Sequence, residues 1–193
     1  AAVRVPHDWA IEGPFNPEGD DNTGKLPWKG HGVYRKQLVL GANPKGRVFI
    51  DFDGVMSRAT VFVNDNACGK GEYGYLGFRA DATPFLTSGT NEVVVRCDTL
   101  DHASRWYPGA GIYRNVWLVK TDDVYIEADS LRFETRCAGE NWFVTVSGRI
   151  VSRREAKTRV VVRADLQEIG GASAVVEVDG FNSEEFELKL GVK

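Results

Sequence analysis

The segment Ser104-Arg105-Trp106-Tyr107-Pro108-Gly109-Ala110-Gly111-Ile112-Tyr113-Arg114 holds the densest set of recognition-type side chains in the sequence. Pro108-Gly109 suits a type II turn, with Pro fixing one dihedral and Gly supplying the positive one. Such a turn would place Arg105, Trp106 and Tyr107 on a loop between two strands. Aromatic rings pack on C–H-rich faces, while Arg and Tyr tips hydrogen-bond hydroxyls. The competing reading has Trp106 and Tyr107 sealing the sandwich, with Arg105 bound to carbonyl groups. A second set, Pro6-His7-Asp8-Trp9, offers a His–Asp pair beside a Trp. Its structural alternative is an arm docking its aromatics on a sheet, with Asp8 capping nearby amides.

Other chemistries find less support. His7, His31 and His102 are the only histidines, and none sits in a triad context or a metal-ligand spacing. No metal and no cofactor is expected. The carboxylate pairs Asp20-Asp21, Asp122-Asp123 and Glu184-Glu185 are adjacent in sequence. Neighbours on a strand point to opposite faces, so these read as solvated surface charge rather than a catalytic pair. Gly69-Lys70-Gly71 and Gly109-Ala110-Gly111 lack the strand–turn–helix setting of a phosphate cradle. Cys68, Cys97 and Cys137 form no CxxC pair and read as small buried hydrophobes.

The elements that must position these residues are strands. In Arg47–Phe52, Val48, Ile50 and Phe52 share a face; Val93, Val95 and Cys97 do so in Glu92–Asp98. Asn64-Asp65-Asn66 and Ser88-Gly89-Thr90-Asn91 read as turns. Tyr113 to Lys120 alternates again. Short strands separated by turns spell an antiparallel sandwich over the first 120 residues. Composition shifts at Thr121-Asp122-Asp123, where a domain boundary is placed. Beyond it Leu131 and Phe133 face one way, and Trp142, Val144, Val146 and Ile150 form an apolar face. Val160, Val162, Ala164 and Leu166 repeat the pattern, as do Phe186, Leu188 and Leu190. Five or six strands in some 70 residues fall short of the usual ~7 of an immunoglobulin-like sandwich, so its last strand or two is expected to be missing.

The 193 residues carry 24 basic and 27 acidic side chains. This mildly acidic balance with no basic tract argues against nucleic acid or an anionic membrane as partner. No apolar run approaches the ~20 residues needed to cross a bilayer as a helix. Ala1-Ala2-Val3-Arg4 lacks the charged and apolar regions of a signal peptide, so any such segment is expected to have been removed already.

The ordered motifs Pro6-His7-Asp8-Trp9, Gly32-Val33-Tyr34-Arg35-Lys36, Phe52-Asp53-Gly54-Val55, Val61-Phe62-Val63-Asn64, Tyr73-Gly74-Tyr75, Asp81-Ala82-Thr83-Pro84 and Gly111-Ile112-Tyr113-Arg114 give the sequence a family likeness. The series resembles the N-terminal sugar-binding domain of glycoside hydrolase family 2, most closely that of bacterial β-galactosidases. The likeness covers residues 3–120, and residues 124–193 resemble the start of the immunoglobulin-like domain that follows in the family. It implies an all-β chain: a jelly-roll β-sandwich over 1–122, then an immunoglobulin-like β-sandwich over 123–193.

It further implies a retaining β-galactosidase-like parent whose two catalytic glutamates stand on a (β/α)₈ barrel that this chain lacks, so no catalytic residue is assigned here. The chain would then be a non-catalytic scaffold and pocket rim. Arg105, Trp106 and Tyr107 would line the sugar pocket, with Asp101 and His102 as weaker candidates. The partners implied are a β-galactoside or related carbohydrate and the parent's barrel, with homo-oligomerisation of the parent left open. A periplasmic or extracellular location follows by the same likeness, with the cytoplasm as alternative. Arg105 stands where some galactose-specific members carry an acidic residue, so glucuronidase and mannosidase specificities stay open. A free-standing carbohydrate-binding module is the competing function, and a two-sandwich adhesion or structural protein the third.

Overall fold

The computed structural model describes residues 1–19, 25–26, 29–100, 109–168 and 170–192. The chain divides into two compact units, Ala1–Lys120 and Thr121–Lys193. Both are built almost wholly from antiparallel strands. The described helices are one short α-helical turn, α1 (Trp9–Glu12), whose N-cap Asp8 accepts a hydrogen bond from the Ala10 N–H, and a 3-10 turn at Thr83–Phe85.

In the first unit one sheet runs in the order β1 (His31–Leu40), β6 (Gly89–Asp98), β3 (Ala59–Val63), β4 (Asn66–Gly71). The second runs β5 (Phe78–Asp81), β2 (Arg47–Phe52), β7 (Val116–Thr121). The period-two pattern does what it implies: Val48, Ile50, Phe52, Val61, Val63, Val93 and Val95 meet in one core between the sheets. Phe52 lies opposite Phe78 in register and stacks on it at 4.8 Å between ring centroids. Burying such a side chain contributes about 1.5–3 kcal/mol. On the next row Asp51 faces Arg79, and the guanidinium forks onto the carboxylate at 2.6 Å while covering the Phe49 ring.

The β3–β4 turn follows its sequence signature. Asn64 and Asp65 both have positive φ, 48° and 64°, as a two-residue primed hairpin requires. The Ser88–Asn91 signal resolves differently from a plain turn. Gly89, Thr90 and Asn91 already pair with Leu40, Val39 and Leu38 as the start of β6. The turn chemistry comes instead from the Asn91 side chain, which is fully buried. Its amide accepts from the Thr87 N–H and from Asn64, and donates to the carbonyls of Thr87 and Gly89. Likewise, alternation from Tyr113 becomes regular strand only at Val116. Before it, Gly111 makes an isolated bridge with Met56.

In the second unit β10 (Asn141–Ser152) is the spine. It pairs with β13 (Ser183–Val192) on one side, and with β8 (Val124–Ile126) and β9 (Arg132–Ala138) elsewhere along its length. A two-stranded sheet of β11 (Thr158–Leu166) and β12 (Gly170–Val178) packs against it through Val162, Val176 and Val178. Ile150, Phe186, Leu188 and Leu190 are buried there, as alternation implies. Leu131, Phe133 and Trp142 are not: they are 41%, 69% and 52% exposed. Phe133 lies opposite the buried Val146 and shares its face, yet β11 and β12 leave it uncovered. Cys97 is buried and Cys68 half-buried, but Cys137, on the same uncovered strand, is exposed, contrary to the reading of all three as interior residues.

Candidate functional site

The described residues on either side of 101–108 are held by backbone hydrogen bonds. At the end of β6 the Asp98 N–H donates to the Ser57 carbonyl, and the Ser57 hydroxyl donates to the Asp98 carbonyl at 2.9 Å. Thr99, fully buried, donates its N–H to the Gly30 carbonyl and accepts the Gly30 N–H on its hydroxyl at 2.9 Å. On the return side Ala110, Gly111 and Ile112 are buried between two neighbours. His7 and Trp9 donate their N–H groups to Ile112 and Ala110 at 2.7 and 3.0 Å. Met56 exchanges both backbone bonds with Gly111, at 2.7 and 2.9 Å. The N-terminal arm thus acts as a strap across the return segment, which is the structural role read for Pro6–Trp9.

Side chains lock this strap from beneath. Gly111 has φ +106°, and a Cβ there would collide with the Tyr34 hydroxyl. The Tyr34 hydroxyl meets His7 Nδ1 at 2.7 Å, and His7 Nε2 lies 3.3 Å from the Glu12 carboxylate. Burial pushes the Tyr34 phenol up to about 12, outweighing the Ile112 backbone bond that lowers it. The Trp9 ring lies against Gly32 of β1, where any Cβ would strike it. Trp9, half-buried, therefore packs on the first sheet and on Gly111. Two residues past Gly111, the Tyr113 hydroxyl donates to the Gly74 carbonyl at 2.7 Å, tying down the loop that holds Tyr73 and Tyr75. Burial raises the Tyr113 phenol despite the Arg114 guanidinium over its ring.

Asp101, His102, Arg105, Trp106 and Tyr107, and the Pro108 turn, lie outside the described residues. What is described is the socket that fixes where their segment begins and ends. Sequence reasoning passed over Tyr34 as part of that socket. The available signal was Gly111, since glycine beside a bulky pair marks a close approach. Among the described residues no group of three or more His, Cys, Asp or Glu side chains is placed to hold a metal ion. The arrangement can position a recognition loop, and no nucleophile–base pair has been assembled in the described part of it.

Comparison with known proteins identifies the family. The family profile described as glycosyl hydrolases family 2, sugar binding domain, matches residues 21–122. A β-galactosidase of Bacteroides ovatus is 38% identical over 175 residues, covering 88% of this chain and 20% of that protein. A putative β-glucuronidase of Formosa agariphila is 35% identical over 136 residues, covering 69% of this chain and 13% of that protein. The crystal structure of a glycosyl hydrolase family 2 member from Bacteroides cellulosilyticus superposes with a TM-score of 0.86 at 27% identity, covering 98% of this chain and 26% of that one. The chain spans between about an eighth and a fifth of the length of the curated relatives it matches.

Proposed function

This chain belongs to glycoside hydrolase family 2 through its sugar-binding domain, and from that premise we propose that it forms the non-catalytic N-terminal region of a retaining β-galactosidase-like enzyme. In this reading the parent protonates the glycosidic oxygen, forms a glycosyl–enzyme intermediate and hydrolyses it with water, using two carboxyl groups ~5–5.5 Å apart. Those carboxyl groups belong to a catalytic barrel outside residues 1–193. Arg105, Trp106 and Tyr107, with Asp101 and His102 beside them, line the rim of the sugar pocket. A periplasmic or extracellular location belongs to the same proposal.

The observation that supports the rim role is the anchoring of the described residues that flank 101–108. Thr99 is held by Gly30 on one side, and Ala110 and Gly111 by Trp9 and Met56 on the other. Binding loops work by being carried on a rigid scaffold, and the described flanks of 101–108 are such fixed points. Recognition then costs less conformational entropy than it would from a tether free at either end.

The test has two arms. The 193-residue chain, given an aryl β-galactoside, is expected to release no phenol, and titration with lactose to release no heat of binding. Turnover that survives Arg105→Ala and Trp106→Ala would refute the non-catalytic assignment. Measurable lactose affinity would replace the rim by a free-standing binding module. In the parent enzyme, Trp106→Ala is expected to raise KM for the β-galactoside by about tenfold, because an aromatic anchor contributes on the order of 1–2 kcal/mol.

A further inference from the structure

Several connections of the first unit meet at one end of its sandwich. In register Ala59 lies opposite Gly71, Phe52 opposite Phe78, and Thr60 opposite Arg96. The two sheets touch there, since a Cβ on Gly71 would strike the Phe78 ring. The connections 53–58 and 72–77 therefore leave from the same end as the described flanks of 101–108. Ser57 and Asp98 bond across that end.

The turn at 72–77 is held rigidly yet leaves large apolar side chains in water. Gly74 is buried, and a Cβ on it would strike the thioether of Met56, itself buried and paired with Gly111. The Gly74 carbonyl accepts the Tyr113 hydroxyl at 2.7 Å, and the Leu76 N–H donates to the Tyr73 carbonyl. One buried methionine thus joins this turn to the return side of the candidate segment. Even so, Tyr73 is 53% exposed and Leu76 is 65% exposed. The half-buried Tyr75 ring stands 5.5 Å from that of Tyr73, tilted by 56°. Contiguous apolar surface on a fixed turn is characteristic of a binding site.

We propose that Tyr73, with Tyr75 and Leu76 beside it, is an outer sugar subsite that stacks on the pyranose at the leaving-group side of the bond cleaved by the parent enzyme. The inference rests on the reading of 101–108 as the rim for the terminal galactosyl unit. With that unit assigned to 101–108, a turn set off from Gly111 by Met56 is left to the next sugar along. Phenol rings offer an apolar face to pyranose C–H groups and a hydroxyl to those of the sugar. All three side chains are uncharged, which suits a neutral pyranose. The matching sugar-binding profile spans this turn. The subsite makes the parent favour oligosaccharides over galactosides with small leaving groups.

The experiment compares lactose, whose leaving group is a pyranose, with methyl β-galactoside, whose leaving group is too small to stack. Galactose release by the parent enzyme is followed for both. Tyr73→Ala is expected to raise KM for lactose about tenfold with kcat changed less than about twofold. For methyl β-galactoside both constants should change less than about twofold. Tyr73→Phe keeps the ring and should restore most of the lactose KM. The 193-residue Tyr73→Ala chain should melt as the unaltered chain does, because the side chain is exposed. Equal KM changes on both substrates, no change on either, or cleavage of methyl β-galactoside without lactose overturns the subsite and leaves the rim reading standing. A Trp106→Ala parent unchanged on both substrates, or a parent that cleaves neither, overturns the rim reading and the subsite with it.

Discussion

Phe52 in the first unit and Phe133 in the second both sit on the core-facing row of a strand, yet one is 2% exposed and the other 69%. The two phenylalanines differ in what stands opposite. Phe52 has Phe78 beside it and the β1–β6–β3–β4 sheet across the core. Phe133 lies at the far side of β10 from β13, and the two-stranded β11–β12 sheet packs where Ile150, Leu188 and Leu190 are. Alternation therefore tells which way a side chain points. Whether the row is covered depends on how many strands the opposing sheet contributes.

The largest test of this contrast is Phe52→Ala. It is expected to cost about 3–5 kcal/mol and to lower the first unit's thermal transition in calorimetry. The second unit's transition should stay in place, and movement of both together would mean that the units do not melt separately. Next is Gly111→Ala, which places a Cβ against the Tyr34 hydroxyl at a positive φ. A loss of about 2–3 kcal/mol follows from the backbone strain and the clash. Adding Tyr34→Phe should recover part of it, by chemical denaturation of both variants.

Asn91→Ala should cost about 1–2 kcal/mol, because it removes a fully buried amide that donates to the turn carbonyls of Thr87 and Gly89 and leaves the Asn64 amide without that acceptor. The two units should also separate by pH. In the first, burial pushes the Tyr34 phenol and the Cys97 thiol up to about 12 and Cys68 to about 11, from ordinary values of 10 and 9. A raised folded pKa contributes stability that is whole below the unfolded value and lost as pH climbs through the folded one. The first transition should thus fall between pH 9 and 12, while the second, whose shifted groups are exposed, changes less. Cys97→Ala should flatten the fall. The smallest effect belongs to Phe133→Ala, expected within about 0.5 kcal/mol; a loss like that of Phe52→Ala would show the row to be covered after all.

Much of the fold could be read from local signals. Val48, Ile50 and Phe52 announced a buried face, and Asn64-Asp65 announced a primed hairpin because few residues accept positive φ twice in succession. Asn91 misled because its side chain performs the turn while its backbone is already in β6. The socket was less legible. Tyr34 and His7 are 27 positions apart, and Met56 and Gly111 further still, so no spacing rule connects them. The five recognition candidates at 101–107 stand outside the described residues.

The order of residue types alone settled that this polypeptide is strand-built, where it turns, and which family it joins, since those follow from period, dihedral tolerance and a series of short motifs. Three-dimensional assembly alone decided which apolar rows are dry and that the N-terminal arm straps the Ala110–Ile112 segment. The physical reason is range. A strand's two faces are set by bonds between neighbours, but burial and register sum over residues that meet only once the chain has folded.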